Sequence, residues 1–127
     1  MTIGNAINGR YFSYVSPTIN FKTVGNTTIF TTIPGSKFVP TTYTFICDTA
    51  SAVVGDLTVN VGWTAAAFSD FLSGSTTSLT TADTFDNYQS VSAPNFPAAT
   101  AIVLRVATGD TGTTFTGRFV LSGFYME

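Results

Sequence analysis

Histidine is absent from this chain of 127 residues, and cysteine occurs once, at Cys47. Without an imidazole, the chain has no general base for a Ser-His-Asp or a Cys-His catalytic arrangement. One thiol and no imidazole also fall short of the four ligands that a zinc site needs. Cys47 has no second cysteine with which to form a disulfide in the chain. Its place in the apolar stretch "YTFICD" indicates a small buried side chain.

Charge is scarce as well. Charged residues make up 9% of the chain, against about 25% in an average soluble domain. The five Lys and Arg residues are scattered and form no basic stripe, which argues against nucleic acid and a membrane surface as partners. Thr and Ser must therefore cover much of the surface. Such a surface suits a protein that works inside an assembly, because interspersed charge is what keeps ordinary surfaces apart.

Long apolar runs are missing too. No run approaches 18 residues, so we expect no membrane-spanning segment. The first residues, "MTIGNAINGRYF", have neither a charged nor an apolar signal region, and we expect no signal peptide.

The few carboxylates leave two chemical alternatives to weigh. Asp83 and Asp86 lie close together in "TADTFDN", and Asp56 and Asp70 could approach each other in space, as in a glycosidase pair. The loops "TADTFDN" and "ATGDTGT" could offer oxygen ligands to calcium, but neither has the spacing of a calcium loop. Asp in Thr- and Gly-rich connections usually bonds its own backbone in a turn. We therefore expect no catalytic residues, no metal ion and no cofactor.

What the chain has in abundance is strand-forming sequence. Apolar and polar residues alternate in "LTVNVGW" (57–63), which predicts that Leu57, Val59, Val61 and Trp63 face inward. In "AIVLRVA" (101–107), we expect Ile102, Leu104 and Val106 to face inward and Val103 and Arg105 to face outward. The stretch "TTIFTTI" (27–33) is β-branched and aromatic, as strands prefer. One exception is "AAAFSDFL" (65–72), which could form one or two turns of helix.

Turn residues separate these segments. Pro34 and Gly35 in "IPGS" fit a type II turn, in which the second central residue needs a positive φ. Pro40 cannot donate to a ladder, so it marks a sheet edge, a bulge or a break. The sequence "TGDTGT" (108–113) predicts a hairpin turn.

Together these patterns predict an all-β protein: an antiparallel, jelly-roll-like β-sandwich of about eight strands. Parallel βαβ units are excluded, because no segment is long enough for a crossover helix. We expect a flexible N-terminal arm at residues 1–14 and a single sandwich domain at residues 15–127.

Aromatic residues number 18, which is 14% of the chain. Most belong in the core, but a surplus lies beside the arm and at the C-terminus. Both faces of "GRFVLSGFYM" are apolar, so one face of this last strand should meet something other than solvent. The candidate contacts with another subunit are Tyr11, Phe12, Tyr14, Arg118, Phe124 and Tyr125.

The segments "TTIFTTIPGSKFVPTTYTFICD", "LTVNVGWTAAAFSDFL" and "TGTTFTGRFVLSGFYM" together resemble small all-β virion proteins of tailed bacteriophages, of the capsid decoration (cement) type. The resemblance covers roughly residues 27–125. It implies a homo-oligomer, with a trimer favoured, that binds the major capsid protein and stabilises the head at the capsid surface. It also implies synthesis in the host cytoplasm, and it carries over no catalytic residues.

Two other functions remain open at this point. A tail or fibre adhesin domain that binds host glycans would share the fold and the Thr-rich strands, but it requires exposed aromatics around a concave site. An enzyme or a calcium-dependent lectin would require the carboxylates discussed above.

Overall fold

Nine strands are present in the part of the chain that the structure describes. The computed structural model describes residues 11–51, 56–75, 81–89 and 94–126, and this part of the chain contains no helix. The strands are β1 (Tyr11–Val15), β2 (Ile19–Asn20), β3 (Gly25–Thr31), β4 (Lys37–Ser51), β5 (Thr58–Gly62), β6 (Leu72–Ser75), β7 (Thr84–Gln89), β8 (Ala101–Thr108) and β9 (Thr114–Met126).

The strands form two antiparallel sheets. The five-stranded sheet has the order β1-β9-β4-β7, with β2 also paired to β9, and the four-stranded sheet has the order β3-β8-β5-β6. Chain neighbours repeatedly lie in opposite sheets, which is the arrangement of a jelly roll. The predicted all-β sandwich is confirmed.

The core lies between the two sheets. Burial in β9 alternates at every residue from Phe115 to Tyr125, because successive side chains of a strand point to opposite faces. Val59, Val61, Ile102 and Leu104 supply the facing layer from the four-stranded sheet, and all four are fully buried. The inward positions predicted for β5 and β8 are therefore confirmed.

Pro34 and Pro40 lie at a turn and at a bulge, as their restricted backbones predict. Gly35 has a φ of 82° in the turn after Pro34, and this turn carries the chain from β3 in one sheet to β4 in the other. The register of β4 with β9 shifts between Pro40 and Thr42. The pairing of β4 with β7 begins only at Thr42. Pro40 thus lies at a bulge, in a part of β4 that does not pair with β7.

The turn at 108–113 does not close a hairpin. It joins β8 of the four-stranded sheet to β9 of the five-stranded sheet, so the hairpin prediction is wrong. Asp110, which is 2% exposed, anchors this crossing. Its N–H donates to the Phe21 carbonyl at 2.9 Å, and its carboxylate accepts from the N–H of Gly112 at 2.9 Å. The bond to Phe21 ties the turn to the residue that follows β2, and the bond from Gly112 closes the turn itself.

The segment 63–71 is an irregular loop and not a helix. The carboxylate of Asp70 accepts hydrogen bonds from the N–H groups of Trp63 at 2.7 Å and Thr64 at 2.8 Å. The Asn60 side chain donates to the Ala67 carbonyl at 3.0 Å and accepts from the N–H of Gly74. Side chains of this kind compete with helical backbone bonding, and here they fix a loop instead.

This loop gives the protein an acid-sensitive element. Burial raises the pKa of Asp70, but the hydrogen bonds from Thr64 and Trp63 outweigh burial and leave the pKa below its usual value. A lowered folded-state pKa contributes stability above the unfolded pKa of about 3.9, and that stability is lost as the pH falls through the folded value.

We therefore expect Asp70→Asn to lower the free energy of unfolding by about 1 kcal/mol at pH 7. The difference from the native chain should shrink as the pH falls below about 4. Urea titrations of both proteins between pH 7 and pH 2.5 measure it. A difference that is constant across this range would contradict a role for the charge of Asp70.

The predicted N-terminal arm falls largely outside the described residues, since these begin at Tyr11. Residues 11–14 belong to β1, which pairs with β9 from Tyr11–Phe124 to Val15–Val120. The last four residues of the predicted arm therefore lie in a paired strand.

Candidate subunit-contact surface

The five-stranded sheet has a side that faces away from the core, which we call the outer face. It is made of the side chains of β1, β4, β7 and β9 that point outward. The strand registers place Val15 beside Val120 and Val120 beside Thr44. The apolar members of the outer face include Tyr11, Val15, Ile46, Phe85, Val120 and Phe124.

Large apolar side chains are unusually exposed on this face. In the described part of the chain, five such side chains are exposed, and four belong to the outer face. They are Tyr11 at 69%, Phe85 at 68%, Val15 at 51% and Met126 at 45%. Single exposed apolar residues need no explanation, but a concentration on one face marks an interaction surface.

The charge in the middle of the outer face is paired. Nε of Arg118 donates to Oδ2 of Asp48 at 3.0 Å, and an Nη of Arg118 donates to Oδ1 at 2.9 Å. The hydrogen bond to Asp48 and its negative charge raise the pKa of Arg118. A two-pronged contact of this kind fixes both side chains and cancels their charges. The ion pair itself therefore carries no net charge.

A pocket of about 310 Å³ opens beside this ion pair. It is lined by Thr44, Ile46, Cys47, Asp48, Asp83, Thr84, Phe85 and Arg118. Cys47 has no exposed surface, as the sequence predicted. Burial, followed by the charges of Asp48 and Asp83, raises the pKa of its thiol. The thiol is thus poorly suited to act as a nucleophile.

The opposite side of the protein differs in character. The outward residues of the four-stranded sheet include Asn26, Thr28, Asn60 and Arg105, and an Nη of Arg105 donates to Asn26 at 3.1 Å. This side is polar. The contrast between the two sheets points to protein contact on the outer face and to water on the other side.

Three of the six predicted contact residues lie on the outer face. Tyr11 and Phe124 are neighbours across β1 and β9, with ring centroids 6.0 Å apart. Arg118 lies farther along β9, engaged with Asp48. Their role in contacts between subunits remains a prediction.

The other three, Phe12, Tyr14 and Tyr125, point into the sandwich. The hydroxyls of Tyr14 and Tyr125 are 2.7 Å apart, and the Tyr14 ring stacks on Phe30 at 3.8 Å. Burial, followed by the hydrogen bond to Tyr125, raises the pKa of Tyr14. Tyr125 has no exposed surface, so its side chain cannot reach another subunit in this fold. The prediction for Tyr125 is corrected accordingly.

Three exposed apolar residues of the outer face, Val15, Phe85 and Met126, were missed. In β1 and β7, Val15 and Phe85 occupy positions that alternate with the partly buried residues. Phe85 alternates with the partly buried Asp86 and Tyr88. Without knowing which face of β7 is covered, an aromatic residue is more readily assigned to the core.

Two of the carboxylates considered for catalysis, Asp56 and Asp70, have separate structural partners. Asp56 accepts hydrogen bonds from the N–H and the hydroxyl of Thr111, whereas Asp70 holds the loop 63–71. Across residues 11–51, 56–75, 81–89 and 94–126, no three His, Cys, Asp or Glu side chains group as metal ligands would. The same ranges contain no helix long and apolar enough to cross a bilayer.

Comparison with known proteins gives similarity at the level of structure. A chain of the cyanophage Pam1 capsid asymmetric unit matches with a TM-score of 0.61 and 18% identity, over 94% of this chain and 87% of that one. A chain of the Ralstonia phage GP4 capsid matches with a TM-score of 0.59 and 13% identity, over 94% of this chain and 86% of that one. No family model matches the sequence. No curated protein matches it either. At these identities the likeness establishes a shared fold.

Proposed function

We propose that the protein is a structural component of a phage virion, a decoration (cement) protein that binds the head shell and stabilises it. The observation that carries the proposal is the match, over 94% of the chain, to chains from two phage capsid structures. The proposed location is the capsid surface, and the proposed partner is the major capsid protein. Catalysis has no part in this function.

The outer face is the surface through which we place the shell contact. Tyr11, Phe85 and Val15 expose apolar area there, and burying such area contributes about 25 cal/mol per Å². The Arg118–Asp48 pair brings no net charge that would repel a neighbouring subunit. Because stable protein interfaces are depleted of charge at their centre, this face fits one.

The test compares two charge insertions on opposite sides of the sandwich. Val120→Asp places a carboxylate in the middle of the outer face, and Thr28→Asp places one on the polar side of the four-stranded sheet. Because a charge buried without a partner is costly, we expect Val120→Asp to weaken binding to shells by about tenfold or more. Thr28→Asp should bind like the native chain.

Binding is measured by sedimenting purified protein with heads from a virus whose gene for this chain is deleted. Unfolding curves first establish that both variants are folded. Equal binding of both variants would contradict the placement on the outer face. A native chain that fails to sediment with the heads would contradict the function itself.

A glycan-binding adhesin is the alternative, and the pocket beside Arg118 favours it. There, Phe85 offers an exposed ring next to two carboxylates and a guanidinium, and rings and polar groups of this kind contact sugars. A glycan array probed with the native chain and Phe85→Ala separates the two functions. Binding that depends on Phe85 would favour the adhesin, and an array without binding would remove it.

A further inference from the structure

Among the residues that the structure describes, no further strand covers either edge of the five-stranded sheet. In the described part of the chain, β1 pairs only with β9, and β7 pairs only with β4. Proteins usually protect such edges with proline, lysine or a bulge. Neither strand contains proline, lysine or arginine, and both pairings run without a register shift. Within the described residues, two edges of similar length are therefore available for pairing, and Asp86 of β7 is the one charged residue on them.

Exposed apolar side chains are concentrated on these same edges. Tyr11 and Val15 lie on β1, Phe85 lies on β7, and each is more than half exposed. All three project from the outer face. An explanation that covers both the open backbone and the exposed side chains is that the two edges meet in an assembly.

We infer that β7 of one copy pairs with β1 of a second copy, so that the five-stranded sheet continues across the subunit boundary. This pairing adds to the proposed function by naming the partner of the two edges. Its place in the virion rests on that function. Strand direction supports it. Because each pair in the order β1-β9-β4-β7 is antiparallel, β7 and β1 run in opposite directions. A second copy in the same orientation therefore continues the antiparallel pattern.

Face parity selects one register. Directly opposed residues of paired strands point to the same face, so outward residues must meet outward residues. Only one antiparallel register satisfies this and keeps all five residues of β1 within β7. It places Ser13 opposite Asn87 and Val15 opposite Phe85 on the outer face. On the inner face it places Phe12 opposite Tyr88.

A second copy fits these edges better than an unrelated partner does. The contact joins two different edges of the same chain, so each copy pairs through its β7 with one neighbour and through its β1 with another. Such head-to-tail contacts close into rings when the rotation allows it. β1 carries no charge and β7 carries only Asp86, so no like charges oppose each other. The seam also joins the outer faces of adjacent copies into one larger apolar surface.

Cysteine crosslinking tests the register. Ser13→Cys and Asn87→Cys are outward substitutions at exposed positions, and Cys47 is fully buried. Directly opposed Cα atoms in an antiparallel pair are about 4.5–5.5 Å apart, within the range of about 4.4–6.8 Å that a disulfide spans. The two single variants are co-expressed, purified and exposed to a mild oxidant. The control replaces Asn87→Cys with Thr28→Cys, on the far side of the sandwich.

We expect at least about tenfold more crosslinked dimer from the Ser13→Cys and Asn87→Cys mixture than from the control, because held thiols react as an intramolecular pair does. The double variant should give a ladder that ends at the number of copies in the ring, with three as the favoured end. Crosslinking of Ser13→Cys alone would show β1 paired with itself and overturn the proposal, as would a mixture no better than the control.

This outcome is separable from that of the proposed function. A chain that crosslinks as expected but does not sediment with heads would contradict the function and leave the pairing standing. A chain that sediments with heads but gives no crosslink would contradict the pairing alone.

Discussion

Replacing Gly117 with Ala is expected to lower the free energy of unfolding by about 3 kcal/mol or more, at the upper end of overpacking effects. A Cβ at this position would lie 1.9 Å from the carbonyl oxygen of Ile46 and 3.1 Å from Cε2 of Phe21. Gly117 pairs with Cys47 on one side and with Ile19 on the other. The backbone is therefore held on both sides and cannot move away without breaking sheet pairing.

Urea titration of Gly117→Ala against Gly25→Ala measures this effect. Gly25 has no heavy atom within 4 Å of the position of an added Cβ, so its substitution should change stability by no more than about 0.5 kcal/mol. The slopes of the two titrations should agree, so that the midpoints report stability. Equal midpoints for the two variants would contradict the close approach of β9 and β4 at Gly117.

The second large effect is expected at Phe38. Phe38→Ala should cost about 3–5 kcal/mol, as is usual when a buried ring is removed from a core. Phe38 has no exposed surface. Its ring lies within 5.1–5.7 Å of the rings of Tyr14, Phe30, Phe96 and Tyr125. The cavity would open among residues from both sheets, where collapse is difficult.

Phe85→Ala is the matched control, since it removes the same ring from a side chain that is 68% exposed. At concentrations low enough to keep the chain monomeric, its unfolding free energy should stay within about 0.5 kcal/mol of the native value. Binding to heads should nevertheless weaken. Thermal or urea unfolding measures the stability of Phe85→Ala, and sedimentation with heads measures its binding. A loss of several kcal/mol in Phe85→Ala would place this ring in the core and contradict the surface assignment.

The positions of most strands could be predicted from the sequence, because the alternation of inward and outward residues indicates which side chains are buried. Gly35 and Pro40 were readable for a similar reason, since their backbone constraints leave few local structures. The direction of a turn was not readable. "TGDTGT" has the composition of a hairpin, but whether a turn closes a hairpin or crosses between sheets depends on distant contacts, such as that of Asp110 with Phe21.

The candidate surface was predicted only in part. Tyr125 was assigned to the surplus of aromatics because both faces of the last strand are apolar, whereas in the structure burial alternates along this strand up to Met126. Phe85 was missed because the outer and inner faces of β7 carry similar residues. In both cases the deciding information is which face of the strand the opposite sheet covers. That information lies in the topology and not in the segment itself.

The same limit applies to the loop 63–71. Its apolar residues fit a short helix, but Asn60 and Asp70 bind backbone groups several residues away. Nothing in the local composition shows that these two side chains meet the loop. Propensity is a weak guide where tertiary contacts fix the backbone.

The most direct test of the central proposal is a quantitative mass spectrometric measurement on tail-free heads, purified from the virus that encodes the chain. We predict that the chain is present in the heads in a fixed ratio to the major capsid protein, and that it is depleted from separated tails. Heads that lack the chain, with the chain recovered in the tail fraction, would contradict a role in the capsid shell.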